Sequence, residues 1–169
     1  MKIVPLTPSR WKDLERLFGT RGACGGCWCM WWRVPRRTWR AQKGAANRRA
    51  FRRIVMSGRK PGLLAYDRGG PVAWVSVAPI EEFPVLKRID ERPVWSVNCF
   101  YVAPSHRQRG MTVKLLKACA KRGRVLEGRP VERAPAAAFA WTGFAGAFRK
   151  AGFVEVARRS RLRPIMRSR

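Results

Sequence analysis

Residues 94–112 read VWSVNCFYVAPSHRQRGMT, and the fold turns on this stretch. Val94 to Val102 is rich in β-branched and aromatic residues and apolar on both faces, the pattern of a central strand. Ala103 and Pro104 end it, and a basic turn with one glycine, Gly110, follows. Thr112, Leu115, Leu116 and Cys119 then fall at i, i+3, i+4 and i+7, with Lys114, Lys117 and Lys121 opposite and Gly123 as the stop, so a helix begins at once. A strand, a basic glycine turn and a helix in succession make an anion site. The first N–H groups of the helix have no internal partner and carry the positive end of its dipole, and glycine lets a phosphate approach the backbone. Arg107 and Arg109 add full charges. The same local pattern also suits an ordinary turn with solvated arginines.

Upstream, LLAYD (63–67), the turn RGGP and VAWVSVAP (72–79) predict a β-hairpin. Ser9 to Phe18 opens on a Ser cap and places Trp11, Leu14, Leu17 and Phe18 at helical spacing. A Gly/Cys/Trp-rich stretch spans Gly22 to Trp32. The segment Trp39 to Met56 predicts a helix with Asn47, Ala50, Phe51, Ile54 and Val55 on one stripe and Arg48, Arg49, Arg52 and Arg53 elsewhere. Downstream, Val125 to Glu132 reads as a strand and Ala136 to Ala151 as a helix with Phe144, Ala147, Phe148 and Ala151 inward. Gly152 ends that helix before the strand FVEVARRS. The order is two helices, a hairpin, then β-α-β-α-β, without an internal repeat: an α/β fold.

The 169 residues and a hydrophobic fraction of 46% suit one domain with one sizeable core, residues 1–60 forming a helical region and 62–160 a core sheet. The N-terminus lacks a signal-peptide run, and no stretch approaches the roughly 20 apolar residues of a membrane span, so a cytoplasmic location is expected. Five cysteines, three of them crowded as Cys24, Cys27 and Cys29, are no disulfide framework. A net charge of +27, from 37 basic and 10 acidic residues, attracts polyanions: nucleic acid, a membrane surface or a phosphorylated cofactor. The charges run from Lys2 to Arg169 without a tail, as on a plain solvated basic surface.

From Arg107 the chain resembles the GNAT superfamily of N-acetyltransferases, whose pyrophosphate loop reads Gln/Arg-x-x-Gly-x-Gly/Ala; here it is Arg107, Gln108, Arg109, Gly110, Met111 and Thr112, with Thr112 where glycine or alanine is usual. The ending FRKAGFVEVARRS is similar to the family's last helix, Gly-Phe turn and strand, and the resemblance spans about residues 62 to 160. It implies a central mixed, mostly antiparallel sheet with splayed central strands and about four flanking helices. It also implies acetyl-CoA as cosubstrate, its pyrophosphate on the amides of Gln108 to Thr112 and its pantetheine beside Phe100, Tyr101 and Val102. A backbone N–H near Phe100 would stabilise the oxyanion. A primary amine would attack directly in a ternary complex, in a monomer or homodimer. Whether the acyl group is acetyl or longer, and which amine accepts it, stay open. The alternative is a non-catalytic, basic GNAT-like module that binds nucleic acid or another polyanion.

An acceptor amine must lose a proton. Where many relatives have a glutamate base this chain has Ser96, and where a tyrosine protonates the thiolate it has Phe148. Glu81 and Glu82, beyond the hairpin strand, are the candidate bases, with a solvated loop pair as the plain alternative. Tyr101 is a candidate acid, or else core, and His106 a lesser base candidate. Cys24, Cys27 and Cys29 at C-x-x-C-x-C spacing could bind zinc with a fourth ligand such as Cys99, but without a second pair they are expected to pack with Trp28, Trp31, Trp32 and Trp39, and no metal is assigned. Those aromatics could equally wall the acceptor pocket.

Overall fold

The computed structural model describes residues 1–121, 123–134 and 140–168. In chain order the elements are β1 (Lys2–Pro5), α1 (Trp11–Phe18), α2 (Arg36–Ala41), α3 (Ala45–Met56), β2 (Gly62–Asp67), β3 (Gly70–Pro79) and β4 (Trp95–Val102). Then come α4 (Met111–Ala120), β5 (Leu126–Gly128), α5 (Ala145–Lys150), β6 (Phe153–Ser160) and β7 (Arg163–Ser168). The strands form one seven-stranded sheet in the order β1-β2-β3-β4-β5-β7-β6. Among the described residues only strands β4 and β5 run parallel; the other strand pairs are antiparallel.

Because side chains alternate across a strand, neighbours such as Leu63 and Leu64 enter different cores. On one face Leu63, Val75, Val77, Val97 and Phe100 meet α4 through Met111, Leu115, Leu116 and Cys119, and α5 through Ala145 and Phe148. On the other, Leu64 and Trp74 meet Trp11, Leu14, Leu17 and Phe18 of α1 and Phe51 and Val55 of α3, with Trp28, Cys29 and Met30 packed between.

Two features of β4 shape the site. Val77 pairs with Val97 and Ser76 with Cys99, so Asn98 is an extra residue in a β-bulge. The ladder to β5 holds only from Trp95↔Leu126 to Val97↔Gly128. Pro130, two residues after Gly128, has no N–H to extend that ladder. The second half of β4 therefore splays from β5, and the Phe100 N–H donates instead to the Trp141 carbonyl at 2.7 Å.

Several boundaries differ from the sequence reading. Ser9 does not cap α1: it lies in a 3-10 turn, Pro8–Arg10, bonded to Thr7 through the two hydroxyls, and the helix starts at Trp11. The helix expected over 39–56 is two helices, parted at Gly44, whose φ of 80° is left-handed. The strand expected over 125–132 shrinks to Leu126–Gly128. Of the helix expected over 136–151, residues 136–139 lie outside the described residues, and α5 begins only at Ala145. Phe144, expected inward, precedes the helix with extended backbone and is 44% exposed. Strands β1 and β7 were not anticipated; β1, at the sheet edge, is only four residues long, and β7, between β5 and β6, mixes arginine and proline with its apolar positions.

Candidate active site

Beyond Val102, Pro104–His106 makes one 3-10 turn and the chain reaches α4 through two left-handed residues, Gln108 (φ 59°) and Gly110 (φ 68°). Gly110 is the N-cap of α4, and Lys114 N–H makes the first helical bond, to the Gly110 carbonyl at 3.1 Å. A Cβ on Gly110 would meet nothing within 4 Å, so glycine serves the backbone conformation here and the approach to the helix end is open. Arg107 folds back, its Nε donating to the Val102 carbonyl at 3.0 Å, while Arg109 is exposed. His106 joins the β2–β3 hairpin through Asp67 at 3.2 Å, and that contact holds the Asp67 carboxyl below its usual range. The loop's shape is thus tied to both neighbouring strands.

The expected bases are both committed to arginines. Glu82 accepts from Arg33 Nη1 at 2.6 Å, and the Arg33 side chain, only 3% exposed, lies 4.4 Å from the Phe83 ring centroid. Burial pushes the Arg33 pKa down, against the pull of Glu82. Glu81 pairs with Arg88 at 2.7 Å on the surface. Ser96 donates to Asn98 at 2.9 Å, both buried on β4. The Tyr101 ring packs edge-on against Phe18, 5.6 Å away, on the α1 side of the sheet, in the second core.

The cysteine–tryptophan stretch divides into two. Trp28 and Cys29 enter the core beside Trp11 and Phe18, and the Trp74 indole N–H donates to Cys29 Sγ at 3.1 Å. Cys99, the β4 residue before Phe100, packs half-buried against this same core, its thiol donating to the Phe100 carbonyl at 4.0 Å. Trp31 and Trp32 gather elsewhere, joined by Trp39, which also packs against that core. Trp31 stands 4.7 Å from Trp39 and 5.9 Å from Trp141, and Trp32 5.6 Å from Trp141. Arg36 covers the outer face of Trp31 at 3.5 Å. These rings form a wall where β4 splays, and it includes Trp141, a residue the sequence reading passed over. Among the described residues no three Cys, His, Asp or Glu side chains gather to hold a metal ion.

Comparison with known proteins bears on this geometry. The model of the acetyltransferase (GNAT) family matches residues 28–135, from the tryptophan wall through the β4–α4 turn and β5. The chain belongs to the GNAT acetyltransferase family. No curated protein sequence matches it. Among solved structures it is similar to a histone acetyltransferase HPA2 and related acetyltransferase from Corynebacterium glutamicum, with 16% identity, TM-score 0.61 and coverage of 99% of this chain and 94% of that one. A GNAT acetyltransferase from Streptococcus agalactiae gives 11% identity and TM-score 0.60 over 99% and 94%. PaiA N-acetyltransferase from Thermoplasma acidophilum, in complex with coenzyme A, gives 15% and 0.54 over 99% and 98%. At these identities the likeness is one of fold: the mostly antiparallel open sheet expected from the GNAT resemblance.

In this GNAT chain the sequence reading also missed a buried charge network on the far side of β5. Glu127, fully buried, pairs with Arg129 and with Arg167 of β7, each at 2.7 Å. Arg167 takes Asp90 of the β3–β4 loop through both terminal nitrogens, at 2.7 and 2.9 Å. The Arg167 guanidinium holds the Asp90 carboxyl down to about 2, and Asp90 with Glu127 pushes Arg167 up. Burial lowers Arg129, whose Nη2 donates to the Lys87 carbonyl at 3.0 Å. Among these residues a glutamate in the middle of a short apolar strand was the available signal, because a buried carboxylate requires a cationic partner. The loop bearing Glu81 and Glu82 is fastened at its far end by this network. Among the described residues, no helix is long and apolar enough to cross a membrane.

Proposed function

We propose that this protein transfers an acetyl group from acetyl-CoA to a primary amine, as one domain whose first 60 residues bound the acceptor side. The single observation carrying the reading is the junction from β4 to α4. A left-handed glycine exposes the positive end of a ten-residue helix directly after a strand whose outer half lacks its parallel neighbour. The amides from Gln108 to Thr112 would hold the pyrophosphate, and pantetheine would lie along Phe100, Tyr101 and Val102. Coenzyme A bound to the Thermoplasma relative supports this cosubstrate. The thioester would exchange for the Trp141 carbonyl at the Phe100 N–H, an oxyanion contact of the kind that acyl transfer uses. Direct attack by the amine is the route the family resemblance implies, in the cytoplasm.

Calorimetry and thermal unfolding with acetyl-CoA test the site, because a ligand that binds only the native state raises the midpoint. An amine screen read by CoA release then tests the transfer. The net charge of +27 favours a second reading, a polyanion-binding module without catalysis. A salt-sensitive nucleic-acid shift with no effect of acetyl-CoA would establish that reading instead.

A further inference from the structure

We propose that the outer face of α1 and α3 docks the phosphate backbone of a nucleic-acid duplex, gripped by Lys12, Arg16, Arg48, Arg49, Arg52 and Arg53. The face is separate from the acetyl-transfer site. Helices α1 and α3 cover one side of the sheet, whereas α4, which the β4–α4 turn enters, packs on the other.

In α3 the sequence AANRRAFRRIVM buries Asn47, Phe51 and Val55, which turns Arg48, Arg49, Arg52 and Arg53 outward together, and all four are exposed. Arg48 and Arg52, like Arg49 and Arg53, stand four residues apart, where like charges repel and weaken a helix. A helix face made only for water interleaves acidic with basic residues, and α3 has no acidic residue. Beside it α1 presents Lys12 and Arg16, also exposed. The two helices border a cleft of about 430 Å³, with Lys12 and Glu15 on one wall and Arg48, Arg49 and Arg52 on the other.

Little on this side of the molecule neutralises that stripe. Residues 1–60 hold 16 of the 37 basic residues and only two of the 10 acidic ones, Asp13 and Glu15. Both carboxylates are engaged. Glu15 accepts from Arg48 Nε at 2.7 Å, and Asp13 accepts from the Tyr66 hydroxyl at 2.7 Å and lies 3.8 Å from Arg16. Lys12, Arg49, Arg52 and Arg53 pair with no carboxylate among the described residues. The far end of the sheet is built differently: Arg149 and Arg158 share Glu132, and Arg167 is held by Asp90 and Glu127.

The chemistry of the face selects its occupant. Arginine offers a planar fork of donors that fits phosphate oxygens. A membrane-seeking helix carries bulky apolar residues beside its cations, and within α1 and α3 Met56, at the end of α3, is the one exposed large apolar side chain. Single strands are held by stacking on aromatic rings, but Trp11 and Trp28 behind the stripe are buried. A duplex offers phosphates in rows and needs neither device, and binding through phosphates alone is independent of base sequence.

Fluorescence anisotropy with a short labelled DNA duplex tests this. Four to six phosphate contacts give a slope of about −4 to −5 in log K against log salt, a loss of roughly 100- to 2,000-fold between about 50 and 200 mM. Replacing Arg49, Arg52 and Arg53 together by glutamine keeps helix propensity, so the variant should melt no lower than the parent. Its salt slope should fall by about 2–3 and its affinity at about 50 mM salt by about tenfold or more. Glutamine at Lys114, Lys117 and Lys121, exposed on α4, removes the same charge and should leave affinity within about threefold. Saturating acetyl-CoA should also leave it there. Equal losses in the two triple variants would show that net charge alone acts and would overturn the docking face. So would displacement of the duplex by acetyl-CoA, tighter binding to phosphatidylserine vesicles or to the single strand than to the duplex, or no duplex binding at about 50 mM salt.

Discussion

Replacing Gly110 separates the backbone role of the α4 N-cap from its role as an anion site. Its φ of 68° disfavours any side chain, and no atom lies within 4 Å of an added Cβ. Gly110→Ala therefore incurs the left-handed penalty alone, about 1 kcal/mol of stability, without a clash. Affinity for CoA should stay within about threefold, because the helix N–H groups remain. Gly110→Asp carries the same backbone penalty and adds a negative charge. At about 5 Å from a phosphate, each like charge costs about 0.8 kcal/mol at the dielectric of water and about 3.3 at an effective value of 20. For two phosphates beside an exposed loop, about 2–3 kcal/mol is expected, a rise of roughly 30- to 150-fold in Kd. Isothermal calorimetry with CoA at low and high salt measures it, and the gap between the variants should narrow as salt screens the repulsion. A folded Gly110→Asp protein that binds CoA as the parent does would refute the placement of the pyrophosphate.

Three further outcomes follow from buried contacts. Glu82→Gln leaves the Arg33 guanidinium without its counter-charge and should cost about 2–4 kcal/mol by chemical denaturation, whereas Glu81→Gln, on the surface, should cost under about 1; equal effects would contradict the difference in burial. In Gly128→Ala the new Cβ would stand 2.3 Å from Phe148 Cε1, so about 1–3 kcal/mol of overpacking is expected and Phe148→Leu should recover part of it; a parent-like Tm for the single variant would be the wrong result. Asp90, held at about 2 against an ordinary 3.8, contributes stability that is complete above its unfolded value and lost as pH falls through the folded one, between about pH 5 and 2. Asp90→Asn should be less stable than the parent at pH 7 and lose less than the parent across that window, and parallel melting curves would show that the Arg167 contact does not stabilise the fold.

The central strand, the hairpin and α4 were legible because each writes its own period into the chain: Val94 to Val102 as a continuous apolar run, Thr112 to Cys119 at helical spacing. The turn from β4 into α4 was legible for a related reason, since a left-handed glycine before a helix is a local requirement and Gly110 meets it locally. Helix breaks at Gly44 and the late start of α5 were not, because glycine tolerates both helix and turn and the packing against Gly26 and Phe100 decides between them. Strands β1 and β7 escaped because four or six residues mixed with proline and basic side chains carry too short a pattern.

What the residues determined by themselves is the alternation of elements, the two apolar faces and the cationic turn, all of which depend on neighbours a few positions apart. What only the tertiary structure decided are the partnerships across the sheet: Glu82 with Arg33, 49 residues away; Cys29 with Trp74, 45 away; Glu127 with Arg167, 40 away; and Phe100 N–H with the Trp141 carbonyl. Such pairs leave no periodic trace, because a carboxylate or a thiol looks alike in sequence whether it faces water, a guanidinium or an indole. Its chemistry is set by whichever group the strand order β1-β2-β3-β4-β5-β7-β6 brings beside it, and by the water that packing removes.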